Sequence, residues 1–170
     1  DEGHFSHGSA CMRCAPGTQP KDDQSDCDSC LIYGRNRYSP DGNMCQECSA
    51  GSQPMDNRTG CQSCSDVGTG YVSADGSQCQ RCAVGEEPSA DRGSCVKCGR
   101  GEHSDGGECV PCAAGKQPRD DKSDCDSCVI YGRNRYSPDG TICSECEPGF
   151  QPSENLTSCV ACSDIGGAYY

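Results

Sequence analysis

Apolar residues along this chain never gather into a long run or a helical stripe. Gly and Pro punctuate every spacer between the paired cysteines, and no window holds a helical stripe long enough to nucleate a helix. The triplets Leu31-Ile32-Tyr33 and Val129-Ile130-Tyr131 predict short strands, and Asp41-Gly42, Asp75-Gly76 and Asp139-Gly140 predict tight turns. The pattern therefore predicts two-stranded hairpins, which are marginally stable in isolation.

The cysteines occur only in C-x-x-C pairs, with none left over. The ten pairs are Cys11/Cys14, Cys27/Cys30, Cys45/Cys48, Cys61/Cys64, Cys79/Cys82, Cys95/Cys98, Cys109/Cys112, Cys125/Cys128, Cys143/Cys146 and Cys159/Cys162. Two kinds of spacer alternate between them: one is always 12 residues long, and the other is 14, 14, 10 and 14 residues long. We expect the constant spacer to lie inside a folding unit and the variable one between units.

This reading divides the chain into five modules, 1–30, 31–64, 65–98, 99–128 and 129–170. Residues 21–42 recur almost unchanged at 119–140, an offset of 98 residues, so three modules form a longer repeat. Self-similarity at a fixed period is typical of arrays in which each unit contacts its neighbours. The predicted fold is small and disulfide-rich: a tandem array of five short β-hairpin or irregular modules that form an elongated rod with negligible helix.

Composition explains why such a chain needs cross-links. Of 170 residues, 20 are Cys, two are Phe and none is Trp. Ordering each residue costs roughly 1–2 kcal/mol of backbone entropy, which this apolar content cannot offset through one large core. The net charge of −12 argues against nucleic acid as a partner, and no apolar run is long enough to insert into a membrane.

Disulfides are the favoured use of the cysteines, ahead of Cys₄ zinc sites and thiol–disulfide catalysis. We expect all twenty to be bridged, with no metal or other cofactor. Two connectivities remain open. The preferred one joins first to third and second to fourth cysteines of a module, as in Cys11–Cys27 with Cys14–Cys30. The other joins each pair's second cysteine to the next pair's first, and it leaves Cys11 and Cys162 unpaired.

Two sequons predict N-linked glycans at Asn57 and Asn155, because both stand four residues before a Cys at equivalent module positions. The acidic clusters of 22–28 and 120–126 lack the alternating ligands and closing Glu of a calcium loop, so solvated turns are the better interpretation. The copies of Gly-Arg-Asn-Arg-Tyr at 34–38 and 132–136 are interpreted as hairpin packing or as a repeated contact surface.

His4, His7 and His103 are too scattered to predict a metal or catalytic site. The sequence shows no Ser-His-Asp set, no paired buried carboxylates and no phosphate-binding loop. We therefore expect a protein that is not an enzyme and that has no catalytic residues.

The unit C-x-x-C-x₃-G-x-x-P-x₆-C-x-x-C, followed by G-x₃-Y-S-x-D-G-x-x-C, resembles the ephrin-receptor-like cysteine-rich repeats. Similar patterns occur in tumour necrosis factor receptors, furin-like domains and C-x-x-C-rich surface antigens of protists. The resemblance covers essentially the whole chain. It implies small, mostly irregular β modules on the outside of a cell.

The leading functional hypothesis is an extracellular or cell-surface structural glycoprotein, a rod or head-to-tail filament subunit of an appendage, coat or matrix. Joining the last residue of one subunit to the first of the next would give a spacer of 18 residues between Cys162 and Cys11, close to the usual 14. His4, Phe5, Tyr169 and Tyr170 would then form the subunit contact. The alternative is a ligand-binding or adhesive ectodomain of a receptor or surface antigen.

Overall fold

Very short elements make up the computed structural model, which describes residues 3–164. The strands are β1 His4–His7, β2 Ala10–Arg13, β3 Thr18–Pro20, β4 Cys27–Ser29, β5 Arg37–Tyr38, β6 Gln46–Glu47, β7 Ser52–Pro54, β8 Cys61–Ser63, β9 Tyr71–Val72, β10 Gln80–Arg81, β11 Glu86–Pro88, β12 Cys95–Lys97, β13 Glu102–His103, β14 Val110–Pro111, β15 Lys116–Pro118, β16 Cys125–Ser127, β17 Arg135–Tyr136, β18 Ser144–Glu145, β19 Phe150–Pro152 and β20 Cys159–Ala161. The helices are α1 Cys30–Tyr33, α2 Cys64–Val67, α3 Cys128–Tyr131 and the 3₁₀ turn η1 Cys162–Asp164. The predicted tandem array of disulfide-rich hairpins with little helix is confirmed.

Two types of antiparallel hairpin alternate along the chain. A-hairpins have three-residue strands around the constant spacer, as in β3–β4, where Thr18 pairs with Ser29 and Pro20 with Cys27. The others are β7–β8, β11–β12, β15–β16 and β19–β20. B-hairpins lie in the variable spacers: β5–β6, β9–β10, β13–β14 and β17–β18, to which β1–β2 corresponds at the N-terminal end. As predicted, Asp41-Gly42 and its equivalents lie in the loops that close B-hairpins.

The apolar triplets of 31–33 and 129–131 are not strands, and that prediction was wrong. They form the single helical turns α1 and α3. The Ser29 hydroxyl caps α1 by accepting a hydrogen bond from the Leu31 amide, and Gly34 ends it at a φ of 154°, which favours glycine. Ile32 and Ile130 remain 66% and 68% exposed. A strand would need a partner surface to cover such residues, and a single turn does not.

Sulfur takes the place of a hydrocarbon core. Among the described residues, thirteen apolar side chains are buried, and all but Val72 are cysteines. The buried polar residues are four serines at equivalent positions of the B-hairpins: Ser39, Ser73, Ser104 and Ser137. The interior therefore consists of disulfides and hydrogen-bonded backbone.

Contacts divide the chain into two units, Asp1–Cys82 with Pro88–Val96, and Ala83–Glu87 with Lys97–Tyr170. In the first unit, buried Ser39 joins two A-hairpins: its amide donates to the Arg58 carbonyl at 2.8 Å, and its carbonyl accepts from the Gly17 amide at 2.7 Å. Its hydroxyl accepts from the Gly42 amide at 3.1 Å. The equivalent Ser73 hydroxyl is buried without a partner among the described residues.

The second unit repeats this pattern around Ser137. Its amide donates to the Leu156 carbonyl at 2.8 Å, and its carbonyl accepts from the Gly115 amide at 2.7 Å. The Ser137 hydroxyl accepts from the Gly140 amide at 3.1 Å. Since water does not reach Ser137, these bonds are the ones that satisfy its polar groups.

One residue in the loop of each 12-residue spacer adopts a positive φ of 53–61°: Gln24, Arg58, Arg92, Lys122 and Leu156. Such a backbone is strained for residues other than Gly, Asn or Asp. At Arg58 the side chain offsets the strain, because its Nη1 donates to the carbonyls of Gly34, Arg35 and Arg37 at 3.3, 2.8 and 3.0 Å. These bonds tie the loop to the chain that follows α1.

Candidate functional site

Nine disulfides link the second cysteine of each pair to the first cysteine of the next pair. They are Cys14–Cys27, Cys30–Cys45, Cys48–Cys61, Cys64–Cys79, Cys82–Cys95, Cys98–Cys109, Cys112–Cys125, Cys128–Cys143 and Cys146–Cys159. We call this connectivity the ladder. The preferred prediction, Cys11–Cys27 with Cys14–Cys30, was wrong.

Hairpin geometry explains the correction. The β3–β4 hairpin folds back on itself, so that the Cα atoms of Cys14 and Cys27 are 5.8 Å apart. The hairpin β5–β6 brings Cys45 back to Cys30 in the same way, with Cα atoms 5.5 Å apart. Cys11 belongs to a separate hairpin, in which it pairs with Ser6. The variable spacers are therefore bridged as fully as the constant ones.

Cys11 and Cys162 are the two exposed, free cysteines of the chain. The expectation that all twenty cysteines are bridged therefore fails at these two positions. Cys11 lies in β2, at the place where Cys45 lies in its B-hairpin. Cys162 begins η1, at the place where Cys30 begins α1. Both equivalents are bridged, and to each other.

The bridge between Cys30 and Cys45 is one of three contacts in a repeated junction. The Gln19 Oε1 accepts a hydrogen bond from the Cys45 amide at 2.8 Å, and the Gly17 amide donates to the Ser39 carbonyl. We call this set the junction contacts. The other three sets are Gly51–Ser73, Gln53–Cys79 and Cys64–Cys79; Gly85–Ser104, Glu87–Cys109 and Cys98–Cys109; and Gly115–Ser137, Gln117–Cys143 and Cys128–Cys143.

Half of a junction is exposed at each end of the described chain. At the N-terminal end, Ser6 is exposed, although its four equivalents are at most 2% exposed. At the C-terminal end, Gln151 is exposed, and no described atom lies within 4 Å of where a Cβ on Gly149 would be. At the equivalent Gly17, a Cβ would overlap the Asn57 carbonyl oxygen of the next module.

Both sequon asparagines lie exposed on loops of 12-residue spacers. The Asn57 Oδ1 accepts hydrogen bonds from the Thr59 hydroxyl at 2.8 Å and the Thr59 amide at 3.1 Å. Asn155 and Thr157 repeat the arrangement at 2.8 and 3.3 Å. The Oδ1 atom therefore holds the turn, and glycan attachment at the nitrogen would leave that oxygen in place.

The carboxylates of the two acidic clusters form ion pairs and hydrogen bonds within their own loops. Lys21 lies 3.9 Å from both Asp26 and Asp28, and the Arg119 Nε lies 2.9 Å from Asp126. The Asp23 carboxylate accepts hydrogen bonds from the Ser25 hydroxyl and amide, which lower the pKa of Asp23. These loops match the predicted solvated turns.

The repeated Gly-Arg-Asn-Arg-Tyr segments hold their second arginine inside the hairpin. The Arg37 Nη1 donates to the Cys45 carbonyl at 2.9 Å, and its Nη2 lies 2.8 Å from Glu47. Arg135 makes the same contacts with Cys143 and Glu145. The first arginines, Arg35 and Arg133, are exposed and follow the exposed triplets of α1 and α3.

The residues predicted for the subunit contact are partly described. His4 and Phe5 lie half-buried in β1, opposite Arg13 and Met12. Tyr169 and Tyr170 lie outside the described residues.

Sequence reasoning missed the setting of His103. Its Nδ1 lies 3.1 Å from the Cys125 Sγ and 3.9 Å from the Cys112 Sγ, beside the bridge between them. At this strand position β5 and β17 carry Tyr38 and Tyr136, β9 carries Val72 and β1 carries Phe5. Aligning the modules on their cysteines would have shown that His103 takes the place of Tyr38 and Tyr136.

These features define a tandem disulfide-rich hairpin protein of the kind found in oxidising surroundings. Among residues 3–164, no helix is long and apolar enough to cross a lipid bilayer. A scan of family models finds no match to the chain, and a search of curated proteins finds no relative. The likeness to ephrin-receptor-like repeats therefore stays a prediction.

Proposed function

We propose that the protein is a non-catalytic, extracellular structural glycoprotein whose ladder continues head to tail into further units of the same kind. The observation that carries the proposal is the pair of complementary half-junctions. The C-terminal half offers the Gly149 amide, the Gln151 side chain and the Cys162 thiol. The N-terminal half offers the Ser6 carbonyl, together with the amide and thiol of Cys11.

Each of these groups has an equivalent inside the chain that forms a complete junction contact. The internal junction contacts have hydrogen bonds of 2.7–2.9 Å and a disulfide each, and they recur four times within residues 3–164. A second copy that met Cys162 through its own Cys11 would therefore reproduce contacts that this sequence already forms. Because the two half-junctions differ, the association does not close as a symmetric dimer, and repetition gives fibres.

The bond that forms is an intermolecular disulfide. The Cys162 and Cys11 thiols each lose one proton and one electron to an oxidant such as oxidised glutathione, which is reduced to two thiols. Head-to-tail growth would need the same oxidising surroundings as the nine internal bridges.

Variants of the 170-residue chain that each lack one of the two free cysteines, which we call capped variants, test the proposal. Cys11→Ser keeps only Cys162, and Cys162→Ser keeps only Cys11. We expect each variant alone to stay monomeric in a glutathione redox buffer, and an equimolar mixture to give a dimer whose peptide map contains Cys162–Cys11. Unmodified chains should give a series of multiples on non-reducing gels.

Random pairing would contradict the proposal. If each capped variant formed homodimers through Cys11–Cys11 or Cys162–Cys162 as readily as the mixture formed heterodimers, the half-junctions would have no mutual preference. Gln151→Glu provides a matched control, because Glu87 makes the equivalent contact with the Cys109 amide at 2.9 Å. We expect it to dimerise normally, whereas Gln151→Ala should dimerise more slowly.

A repeated surface favours the second candidate, an adhesive or ligand-binding ectodomain. Leu31 and Ile32 are 54% and 66% exposed, and Val129 and Ile130 are 54% and 68% exposed. Exposed apolar residues beside an arginine are common in protein contact sites. Replacing both isoleucines with serine should abolish cell or matrix adhesion under this candidate and leave head-to-tail assembly unchanged.

A further inference from the structure

We propose that Cys112–Cys125 is a bridge that thiols open selectively, and that the reduced pair forms a zinc site with His103. The inference does not depend on the proposed function. The three ligand atoms, His103 Nδ1 and the two Sγ atoms, all lie within 4.8 Å of one another. The equivalent bridges Cys48–Cys61 and Cys146–Cys159 lie beside B-hairpins that carry Tyr38 and Tyr136 in place of this histidine.

The imidazole is placed to assist bond cleavage. A disulfide sulfur has no proton to donate, so a hydrogen bond between the Nδ1 and the Cys125 Sγ at 3.1 Å requires the nitrogen to be the donor. The same nitrogen lies 3.9 Å from the Cys112 Sγ. An N–H donor near both sulfurs stabilises the thiolate that leaves, whichever sulfur is attacked.

Tyrosine does not supply this donor in the equivalent place. The hydroxyl of Tyr38 donates to the Gln46 side chain at 3.2 Å. Tyr136 lines one cleft with Cys146 and Cys159, the bridge that corresponds to Cys112–Cys125. In that hairpin, too, an aromatic ring lies near the bridge. The imidazole of His103 differs from it because its ring nitrogen can donate a hydrogen bond to sulfur.

The loop before Cys125 adds a charged group in the neighbourhood of the histidine. The Asp124 carboxylate accepts a hydrogen bond from the Cys125 amide at 2.8 Å, and this bond lowers the pKa of Asp124, with smaller effects of Arg119, His103 and Lys116. Asp124 thus adds a negative charge in the neighbourhood of the histidine, which favours an approaching cation.

The exchange is an ordinary two-step reduction by an external thiol. The thiolate RS⁻ attacks one sulfur, the S–S bond breaks, and its electron pair passes to the other sulfur, which leaves as a thiolate. A second RS⁻ then displaces the cysteine from the mixed disulfide, so that two thiols become RSSR and Cys112 and Cys125 become free thiols.

After reduction, His103, Cys112 and Cys125 offer the kinds of ligand atom that zinc prefers. Zinc prefers thiolate and imidazole ligands at about 2.3 and 2.0 Å, which places nitrogen and sulfur about 3.6 Å apart in a tetrahedron. The nitrogen–sulfur distances of 3.1 and 3.9 Å lie on either side of this value. The main movement required is separation of the two sulfurs, and water would complete the coordination.

Limited reduction of the whole chain tests the first step. Samples are taken during incubation with dithiothreitol, trapped with N-ethylmaleimide and mapped by mass spectrometry. We expect Cys112–Cys125 to open about tenfold faster than Cys48–Cys61, whose B-hairpin carries Tyr38 at the position of His103. In His103→Tyr the excess should vanish. Equal rates for the two bridges, or an unchanged rate in the variant, would overturn the assignment.

Metal binding tests the second step. After selective reduction and removal of the thiol, zinc should bind at one ion per chain, and cobalt should give the near-ultraviolet sulfur-to-metal band of thiolate ligation. His103→Tyr should weaken zinc binding by at least tenfold, and Cys112→Ser with Cys125→Ser should abolish it. Uptake that is independent of His103, or that is spread over several bridges, would refute the site. The tyrosine variant copies two hairpins of this chain, those of Tyr38 and Tyr136, so its fold is compatible.

Discussion

Arg92 provides a quantitative test of how the loops of the 12-residue spacers are held. Its Nη1 donates to the carbonyls of Gly68, Thr69 and Tyr71 at 3.3, 3.0 and 3.2 Å, while its own backbone stays at a φ of 53°. The change Arg92→Leu removes these bonds. The backbone tolerates it, because Leu156 has the same conformation at the equivalent position, with a φ of 61°.

The expected cost follows from the geometry. A hydrogen bond from a charged donor contributes about 1.5–3 kcal/mol, and one nitrogen with two hydrogens serves at most two of the three carbonyls well. The side chain is half-exposed, so solvent screening favours the lower end. We expect a loss of about 1.5 kcal/mol, which corresponds to roughly tenfold more frequent local opening.

Hydrogen exchange measures this opening at the Ser73 amide, which donates to the Arg92 carbonyl at 2.9 Å. That amide should exchange roughly tenfold faster in Arg92→Leu. The reverse change, Leu156→Arg, should slow exchange of the Ser137 amide, because it restores the Asn-Arg-Thr sequence found at 57–59. An unchanged Ser73 rate, or an equal acceleration of all amides in the unit, would refute the reasoning.

Two further predictions concern the carboxylates and the sequons. The Ser89 hydroxyl and the Gly93 amide lower the pKa of Asp91, so its contribution to the loop is complete above the ordinary aspartate pKa of about 3.9 and disappears as the pH falls through the lower folded value. Asp91→Asn should make Gly93 amide protection independent of pH in that range, and persistent acid loss would contradict this. Asp121→Asn creates Asn-Lys-Ser at the position of Asn57, so a glycosylating host should add one more glycan by mass, unless Ser123 is also changed to Ala.

Cysteine spacing was enough to predict the class of fold and the repeat, and the Asp-Gly dipeptide was enough to predict the turn at Asp41-Gly42. It was not enough to predict the connectivity, because the spacing fits either pattern, and the outcome depends on hairpin closure that brings Cys14 to Cys27. The triplet Leu31-Ile32-Tyr33 misled the strand prediction, because apolar residues here do not mark buried positions. The setting of His103 depends on three-dimensional proximity that only comparison between modules could suggest.

The ladder determines which peptide bonds must stay intact for the chain to remain covalently connected. Each bridge spans 11–15 residues, and a cut inside such a loop leaves both ends tied by sulfur. Between Cys14 and Cys159 only the short links inside the C-x-x-C pairs lack this bypass. Arg81 and Lys97 lie exposed in two of these links. Arg13 is also exposed and precedes the first bridge, which begins at Cys14. Trypsin without reductant should therefore release 1–13, 14–81, 82–97 and 98–170, whereas nicks after Arg58 or Lys122 should leave the fragments joined.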